Sequence, residues 1–355
     1  MKKPEFSRRD VLKGSTALVA GAAFATSVRA AAPPAGAVTP ALIDAARKEG
    51  KVVWYTSLDL PAAERVAKAF EAKYSGIAVR VERTGAERVF QRIGQEYQSR
   101  IHAVDVVQSS DASHFIVWKR DGILEPYVPE DVAKFYSDEH KDPDGMFASF
   151  RVWLCVMGYN TDQVKAADAP KSFADLIDPK WKSKIVKAHP GYSGTIMTST
   201  FQMARDIGWG YFEKLAKQNV MQVQSSADPP KKLEIGERAV MADGNEYNMF
   251  QLKEGGKPVE IVYPTEGSPL IVGPNGLFKA APNPNAGRLF QSYCFSAEGQ
   301  QSLIDVGGLR SMHPQTKEKP GRKPFAEIKK LKDDPAGVEK SAEDIKARYT
   351  KLFGV

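Results

Sequence analysis

Three short apolar runs follow one another between residues 51 and 111, each ending in a polar turn that feeds a helical stretch. No other feature of the chain limits its fold as much. Residues 51–55, 77–81 and 105–107 read as strands, and residues 40–49, 60–74 and 88–100 space their apolar positions as helices do. Strands alternating with helices predict α/β architecture with a parallel sheet covered on both faces. In such sheets ligands bind beyond the carboxyl ends of the strands. The turns Thr56-Ser57-Leu58-Asp59, Thr84-Gly85-Ala86-Glu87 and Gln108-Ser109-Ser110-Asp111 all fall at those ends. That puts Thr56, Ser57, Asp59, Thr84, Glu87, Ser109, Ser110 and Asp111 on one rim. Ser, Thr and Asp also satisfy free N–H groups at ordinary helix starts. It is the shared placement, and no single residue, that marks a site.

A second unit follows. Residues 150–160 form a long apolar run that predicts one strand. Residues 184–187 lead into His189-Pro190-Gly191-Tyr192-Ser193-Gly194-Thr195, a fourth hydroxyl-rich turn, and then a helix over 196–206. Gly244-Asn245-Glu246-Tyr247-Asn248 is a further polar turn, and residues 259–263 a strand from which 264–269 return the chain to the first unit. The expected organisation is a leader over 31–39, a first lobe of 40–148 plus 265–312, a second lobe of 149–264, and C-terminal helices over 313–355 forming a solvated outer layer. Helix N-termini offer free N–H groups and partial positive charge, which suits an oxyanion. Ser110, Ser193 and Thr195 are placed to add hydroxyls. Of the aromatics that could flank an organic portion, Tyr55 and Trp153 read as core, whereas Tyr192 and Tyr247 sit between polar neighbours and read as site residues.

The first thirty residues are an export address. Ser7-Arg8-Arg9-Asp10-Val11-Leu12-Lys13 is a twin-arginine pattern, a small mildly apolar run covers 15–28, and Val28-Arg29-Ala30 supplies a cleavage site. The run is too short and too rich in small residues to hold in a bilayer. Periplasmic localisation follows. Four of the +7 formal charges leave with this segment, because it carries six basic and two acidic residues, and about +3 remains. The remaining charges are mixed along the chain, which argues against nucleic acid as a partner. Cys155 and Cys294 match no metal spacing; in an oxidising compartment they could pair as a disulfide, but their apolar surroundings favour two buried free thiols.

Enzyme signatures are missing from the sequence. Gly191-Tyr192-Ser193-Gly194 lacks the second glycine of a nucleophile elbow at the required spacing. There is no phosphate-binding loop, dinucleotide fingerprint or His-Glu-x-x-His. None of the five histidines, His102, His114, His140, His189 and His313, stands at ligand spacing to another. No catalytic residue and no resident cofactor is expected; an exported hydrolase is the rival reading from another class, told apart by ligand-dependent melting without turnover of candidate esters or phosphates.

The order of several segments carries a resemblance: Val52-Val53-Trp54-Tyr55-Thr56-Ser57, Val104-Asp105-Val106-Val107, Gly158-Tyr159-Asn160-Thr161, Asp178-Pro179-Lys180-Trp181-Lys182, residues 245–253, and Phe295-Ser296-Ala297-Glu298-Gly299-Gln300. In this order they resemble the ferric-ion-binding-like family of periplasmic solute-binding proteins of ABC transporters, some members of which bind phosphorylated or phosphonate-bearing molecules. The resemblance implies a type II fold of two lobes, each a mixed, mostly parallel sheet flanked by helices. It also implies a ligand cleft between the lobes, hinge closure, monomeric action and a membrane permease as partner. Ferric binders present two adjacent tyrosines where this chain has Tyr247-Asn248, so a ferric ion as transported ligand would need a divergent site of Tyr247, Tyr192, Asp59 and Asp111. An oxyanion-bearing ligand is the expectation, held by Thr56, Ser57, Asp59, Thr84, Ser109, Ser110, Asp111, Tyr192, Ser193, Thr195 and Tyr247.

Overall fold

The computed structural model describes residues 31–355; the export segment lies outside the described residues. Helix α1 (Pro40–Glu49) starts on Thr39, whose Oγ1 accepts from the Leu42 N–H at 3.2 Å, and stops at Gly50 with φ 72°. Then come β1 (Lys51–Thr56), α2 (Leu60–Lys73), β2 (Ala78–Arg83), α3 (Ala86–Gln98), β3 (Val106–Gln108) and α4 (Ser113–Arg120). Strand β1 pairs in parallel with β2 on one side and β3 on the other. Its alternating side chains enter two different cores. Val52 and Trp54 pack with Phe70 and Phe290, whereas Val53 and Tyr55 pack with Ile93 and Val107. Burial on both faces is why this strand reads as a continuous apolar run.

The chain continues through β4 (Leu124–Glu125), α5 (Glu130–Phe135), β5 (Phe147–Leu154), β6 (Met157–Asn160), β7 (Ile185–Ala188), α6 (Gly194–Asp206), α7 (Trp209–Ala216), β8 (Met221–Val223), α8 (Asp228–Glu234), β9 (Val240–Met241), α9 (Glu246–Glu254), β10 (Val259–Val262) and β11 (Ser268–Phe278). It ends with α10 (Pro284–Phe295), α11 (Ala297–Gly307), β12 (Lys330–Leu331) and α12 (Pro335–Phe353). One sheet runs β12-β11-β3-β1-β2, with β4 and β5 also on β11; the other runs β10-β6-β9-β7-β8. Both are mixed, since β11 is antiparallel to β3 and β6 is antiparallel to β9 and β10. The chain passes between the sheets twice, from β5 to β6 and from β10 to β11.

Two expectations are corrected. The strand predicted over 150–160 is two strands, broken where the Cys155 N–H donates to Pro269 and the Val156 N–H to Gly244. Pairing changes sheets at that point, so the first lobe extends through Leu154 and not only to residue 148. The C-terminal segment is also more than a solvated layer. Strand β12 extends the first sheet beside β11, and α12 buries Val338, Ile345 and Tyr349. Cys155 and Cys294 are buried free thiols.

Candidate functional site

A cavity of about 270 Å³ lies between the lobes. The ends of β1, β2 and β3 and the start of α3 bring Ser57, Arg83, Thr84, Gly85, Ala86, Arg88 and Ser110 to one wall. The second lobe brings Tyr192, Ser193 and Thr195 from the turn into α6, Gln224 to Asp228 from the turn into α8, and Asn245 and Tyr247 from the start of α9. Arg151, on β5, lines it as well.

Arg151 defines the chemistry. Its side chain is 1% exposed, and the guanidinium stacks over the Trp153 ring at 4.1 Å. Nη2 donates to Gln108 Oε1 at 3.3 Å, while Nε and Nη1 meet no acceptor among the described residues. Burial lowers its pKa, and the nearby Tyr247 and Asp59 oppose that, but a guanidinium stays charged. A buried cation with two unsatisfied donors is costly unless an anion completes it.

Gln108 organises the floor. Its Oε1 accepts from Thr56 Oγ1 at 2.9 Å and Ser57 Oγ at 3.3 Å, and its Nε2 donates to the Ser109 carbonyl at 2.7 Å. Opposite, Ser193 Oγ accepts from the Ile196 N–H at 3.4 Å as the cap of α6, which leaves its own proton for a ligand. The Tyr247 hydroxyl accepts from Asn245 Nδ2 at 3.0 Å, and Asn245 is fixed in turn by Trp153 Nε1 at 3.2 Å. Burial, with Asp59 nearby, pushes the Tyr247 phenol well above its ordinary range, so it stays protonated and presents a donor.

The lobes touch around this cavity. Arg88 Nη2 donates to Gln224 Oε1 across it at 3.2 Å. A Cβ at Gly85 would lie 2.8 Å from the Tyr192 carbonyl oxygen, and one at Gly194 would lie 2.8 Å from Asp111 Cβ and 3.0 Å from Ala86 Cβ.

Of the residues expected from the sequence, Ser57, Thr84, Ser110, Tyr192, Ser193, Thr195 and Tyr247 line the cavity. Four others do not. Thr56 is fully buried and spends its hydroxyl on Gln108 and the Leu58 N–H. Ser109 bonds His114 Nδ1 at 2.9 Å and the Asp111 N–H at 3.1 Å. Asp111 turns its Oδ1 to Ser113 N and Oγ at 2.9 and 2.6 Å, at the start of α4. Asp59 borders an adjoining cavity. The four divergent ferric donors therefore do not gather about one point: Tyr192 and Tyr247 are in the cavity, Asp59 beside it and Asp111 behind its wall. Glu87, Asp111 and His114 do bring ligand-type atoms within 4.8 Å of one another. His114 Nε2 is already engaged by Glu87 at 3.1 Å, and Lys346 pairs with the other Glu87 oxygen at 3.0 Å.

Sequence reasoning missed Arg83, Arg88, Arg151, Asn245 and the stretch from Gln224 to Asp228. Two signals were present: an arginine inside the otherwise apolar stretch Phe150-Arg151-Val152-Trp153, and Gln224-Ser225-Ser226 directly after a strand.

Two α/β sheets joined by two crossings around a small polar cavity give the layout of a two-lobed binding protein. Residues 103–330 match the family described as bacterial extracellular solute-binding protein, and residues 5–25 match the twin-arginine translocation signal sequence. The chain belongs to that family, and it is the exported, periplasmic solute-binding component of an ABC transporter, working with a membrane permease. A periplasmic protein of Salmonella typhimurium named for 2-aminoethylphosphonate binding is 28% identical over 42% of this chain and 46% of its own length. AfuA of Actinobacillus pleuropneumoniae, solved with exogenous fructose-6-phosphate bound, superposes with TM-score 0.78 at 24% identity, covering 86% of this chain and 99% of its own. Iron-bound HitA of Pseudomonas aeruginosa superposes with TM-score 0.74 at 22% identity over 84% and 99%. At these identities both structures show the fold alone.

Proposed function

We propose that the transported solute is a small molecule bearing an oxyanion, a phosphate, phosphonate or carboxylate, held between the lobes and released to the permease. The observation that carries this is the buried Arg151 guanidinium with two N–H donors unspent. Arg83 and Arg88 add charge of the same sign to the wall, and Ser110, Ser193 and Tyr247 supply neutral donors, the set that recognises an anion. A relative named for phosphonate binding and another solved with a sugar phosphate support the reading. No catalytic role is assigned to any residue, and the protein binds without turnover.

A second reading, ferric ion, draws on Tyr192 and Tyr247 both lining the cavity. Against it, three arginines repel a cation and the Tyr247 phenol resists ionisation. The test is calorimetry of the mature protein, freed of carried ligand, against inorganic phosphate, methylphosphonate, acetate and ferric citrate. A colourless, saturable, one-to-one complex with a phosphate-type probe is expected. A coloured stoichiometric iron complex abolished by Tyr247→Phe, with no anion binding, would establish the ferric reading instead.

A further inference from the structure

Helix α12 is built into the second lobe. Val338, Ile345 and Tyr349 recur at helical spacing and form one apolar stripe. Val338 and Ile345 pack with Met197 of α6, and Tyr349 shares a core with Ile185 and Phe212. Its hydroxyl donates to Gln222 Oε1 at 2.8 Å. Glu339 and Lys346 each follow a stripe residue by one position, so they stand on the same flank of the helix, about two turns apart. From that flank the helix reaches the first lobe. Lys346 Nζ pairs with Glu87 Oε2 at 3.0 Å, in the first turn of α3, and Glu339 pairs with Arg120 at 3.0 Å, at the end of α4. The two pairs differ in weight. The Arg120 side chain is 59% exposed, and an ion pair in water contributes little. The Glu87 side chain is 8% exposed and that of Lys346 28%, so their attraction is screened far less. Glu87 also directly follows Ala86, whose Cβ would lie 3.0 Å from a Cβ at Gly194 of α6, where the lobes touch.

We propose that Lys346 and Glu87 form a clasp that holds the cleft closed and slows release of the solute without touching it. Neither residue lines the anion cavity. Lys346 travels with the second lobe through the stripe on α6, and Glu87 travels with the first lobe on α3. Hinge opening that parts α3 from α6 therefore parts the pair. Each partner has a second contact within its own lobe to fall back on: Glu87 bonds His114 Nε2 at 3.1 Å, and Lys346 pairs with Glu343 at 3.0 Å. No charge is stranded by opening, and closure adds one contact that opening must break. A contact made in the closed state alone shifts the balance toward that state. Its effect falls on release more than on capture. Both are positioning residues, set behind the site and acting through the lobes.

Lys346→Met removes the charge at nearly constant length, and Lys346→Arg restores it. Melting curves confirm that each variant folds. In small-angle scattering without ligand, Lys346→Met should have a larger radius of gyration than wild type, with Lys346→Arg returning toward the wild-type value. In stopped-flow measurements inorganic phosphate should leave Lys346→Met about three- to tenfold faster than wild type, with association within about twofold. The clasp does not depend on the identity of the solute; only the phosphate readout rests on the anion reading above. Equal radii for unliganded wild type and Lys346→Met would overturn the clasp, whatever phosphate does, because the pair would then merely secure α12 to the fold. A larger radius with unchanged phosphate release would overturn its role in retention. Failure of wild-type protein to bind phosphate would count against the anion reading and leave the radii to decide the clasp.

Discussion

Arg151 is a charge that the folded protein holds at a loss until ligand arrives. Its guanidinium rests on Trp153 and shares one bond with Gln108, while two donors face an unfilled demand. Arg151→Met keeps the stem and removes the charge. Without ligand the variant should melt at a higher temperature than wild type, because replacing poorly compensated buried charge with packed apolar atoms is often stabilising by ~1–4 kcal/mol. Binding of a phosphate-type probe should fall by ~2–5 kcal/mol. Calorimetry and melting on one sample check both signs; a variant less stable than wild type without ligand would show that Arg151 is fully satisfied inside the protein. The residue was legible in the sequence only as an oddity. Hydroxyl-rich turns advertise themselves, because Ser and Thr cluster where strands give way to helices, and six expected residues from such turns line the cavity. A lone arginine in Phe150-Arg151-Val152-Trp153 carries no such grammar. Which face of β5 it occupies depends on register against β11, a nonlocal pairing. Thr56, Ser109 and Asp111 failed for a related reason: a polar side chain at a strand end can serve the turn itself, and these three do.

Among the elements, helix starts do the positioning, and two of them meet across the cleft through glycine. Gly85 precedes α3 and Gly194 opens α6, and each lacks the Cβ that the opposite lobe would strike. Gly85 has φ −62°, so alanine is admissible on backbone grounds. Gly85→Ala and Gly194→Ala should therefore fold normally while holding the lobes apart by the width of a methyl group. Ligand should shrink the radius of gyration of wild-type protein in small-angle scattering as the closed form is populated, and the two variants should shrink less and bind at least about tenfold more weakly. Wild-type closure and affinity in both variants would mean that the contacts around Gly85 and Gly194 do not limit closure. The strand–turn–helix rhythm that places these starts was readable because each element is local. The break between β5 and β6 was not. Both strands are buried, both are apolar, and the run gives no sign that its partner changes from Pro269 to Gly244 between Cys155 and Val156.

Across the whole molecule, the buried charges behind the cavity wall tie the first lobe to the C-terminal segment and set a pH dependence. Glu87 on α3 faces His114 on α4 and Lys346 on α12, with Asp111 beside His114 and Asp333 just before α12. Burial alone would raise Glu87, but the His114 hydrogen bond and charge, joined by Lys346, outweigh it and hold Glu87 at about 2, against an ordinary 4.5. A depressed carboxyl contributes stability that is complete above about 4.5 and lost as the pH falls toward 2. His114 moves the other way. Burial lowers its pKa, yet Asp111 and Glu87 raise it overall above 6.5. Its contribution is complete below about 6.5 and lost as the pH climbs through the raised value. Burial lifts Asp111, and it lifts Asp333 to about 7 with help from Asp111. Carboxyls raised in this way add a penalty as they ionise, so they too favour the acid side. The pH windows overlap between about 4.5 and 6.5. The melting temperature of the mature protein should peak there and decline on both sides, with the steeper fall toward acid reflecting every other paired carboxylate as well. His114→Gln keeps a hydrogen-bonding side chain and removes the charge. Relative to wild type it should be destabilised by ~1–3 kcal/mol near pH 6 and by clearly less once the pH exceeds the raised value, where wild-type His114 is neutral. A difference between the two proteins that does not change with pH, up to where the wild-type protein itself unfolds in base, would show that the cluster holds α3, α4 and α12 together by packing, with its charges idle.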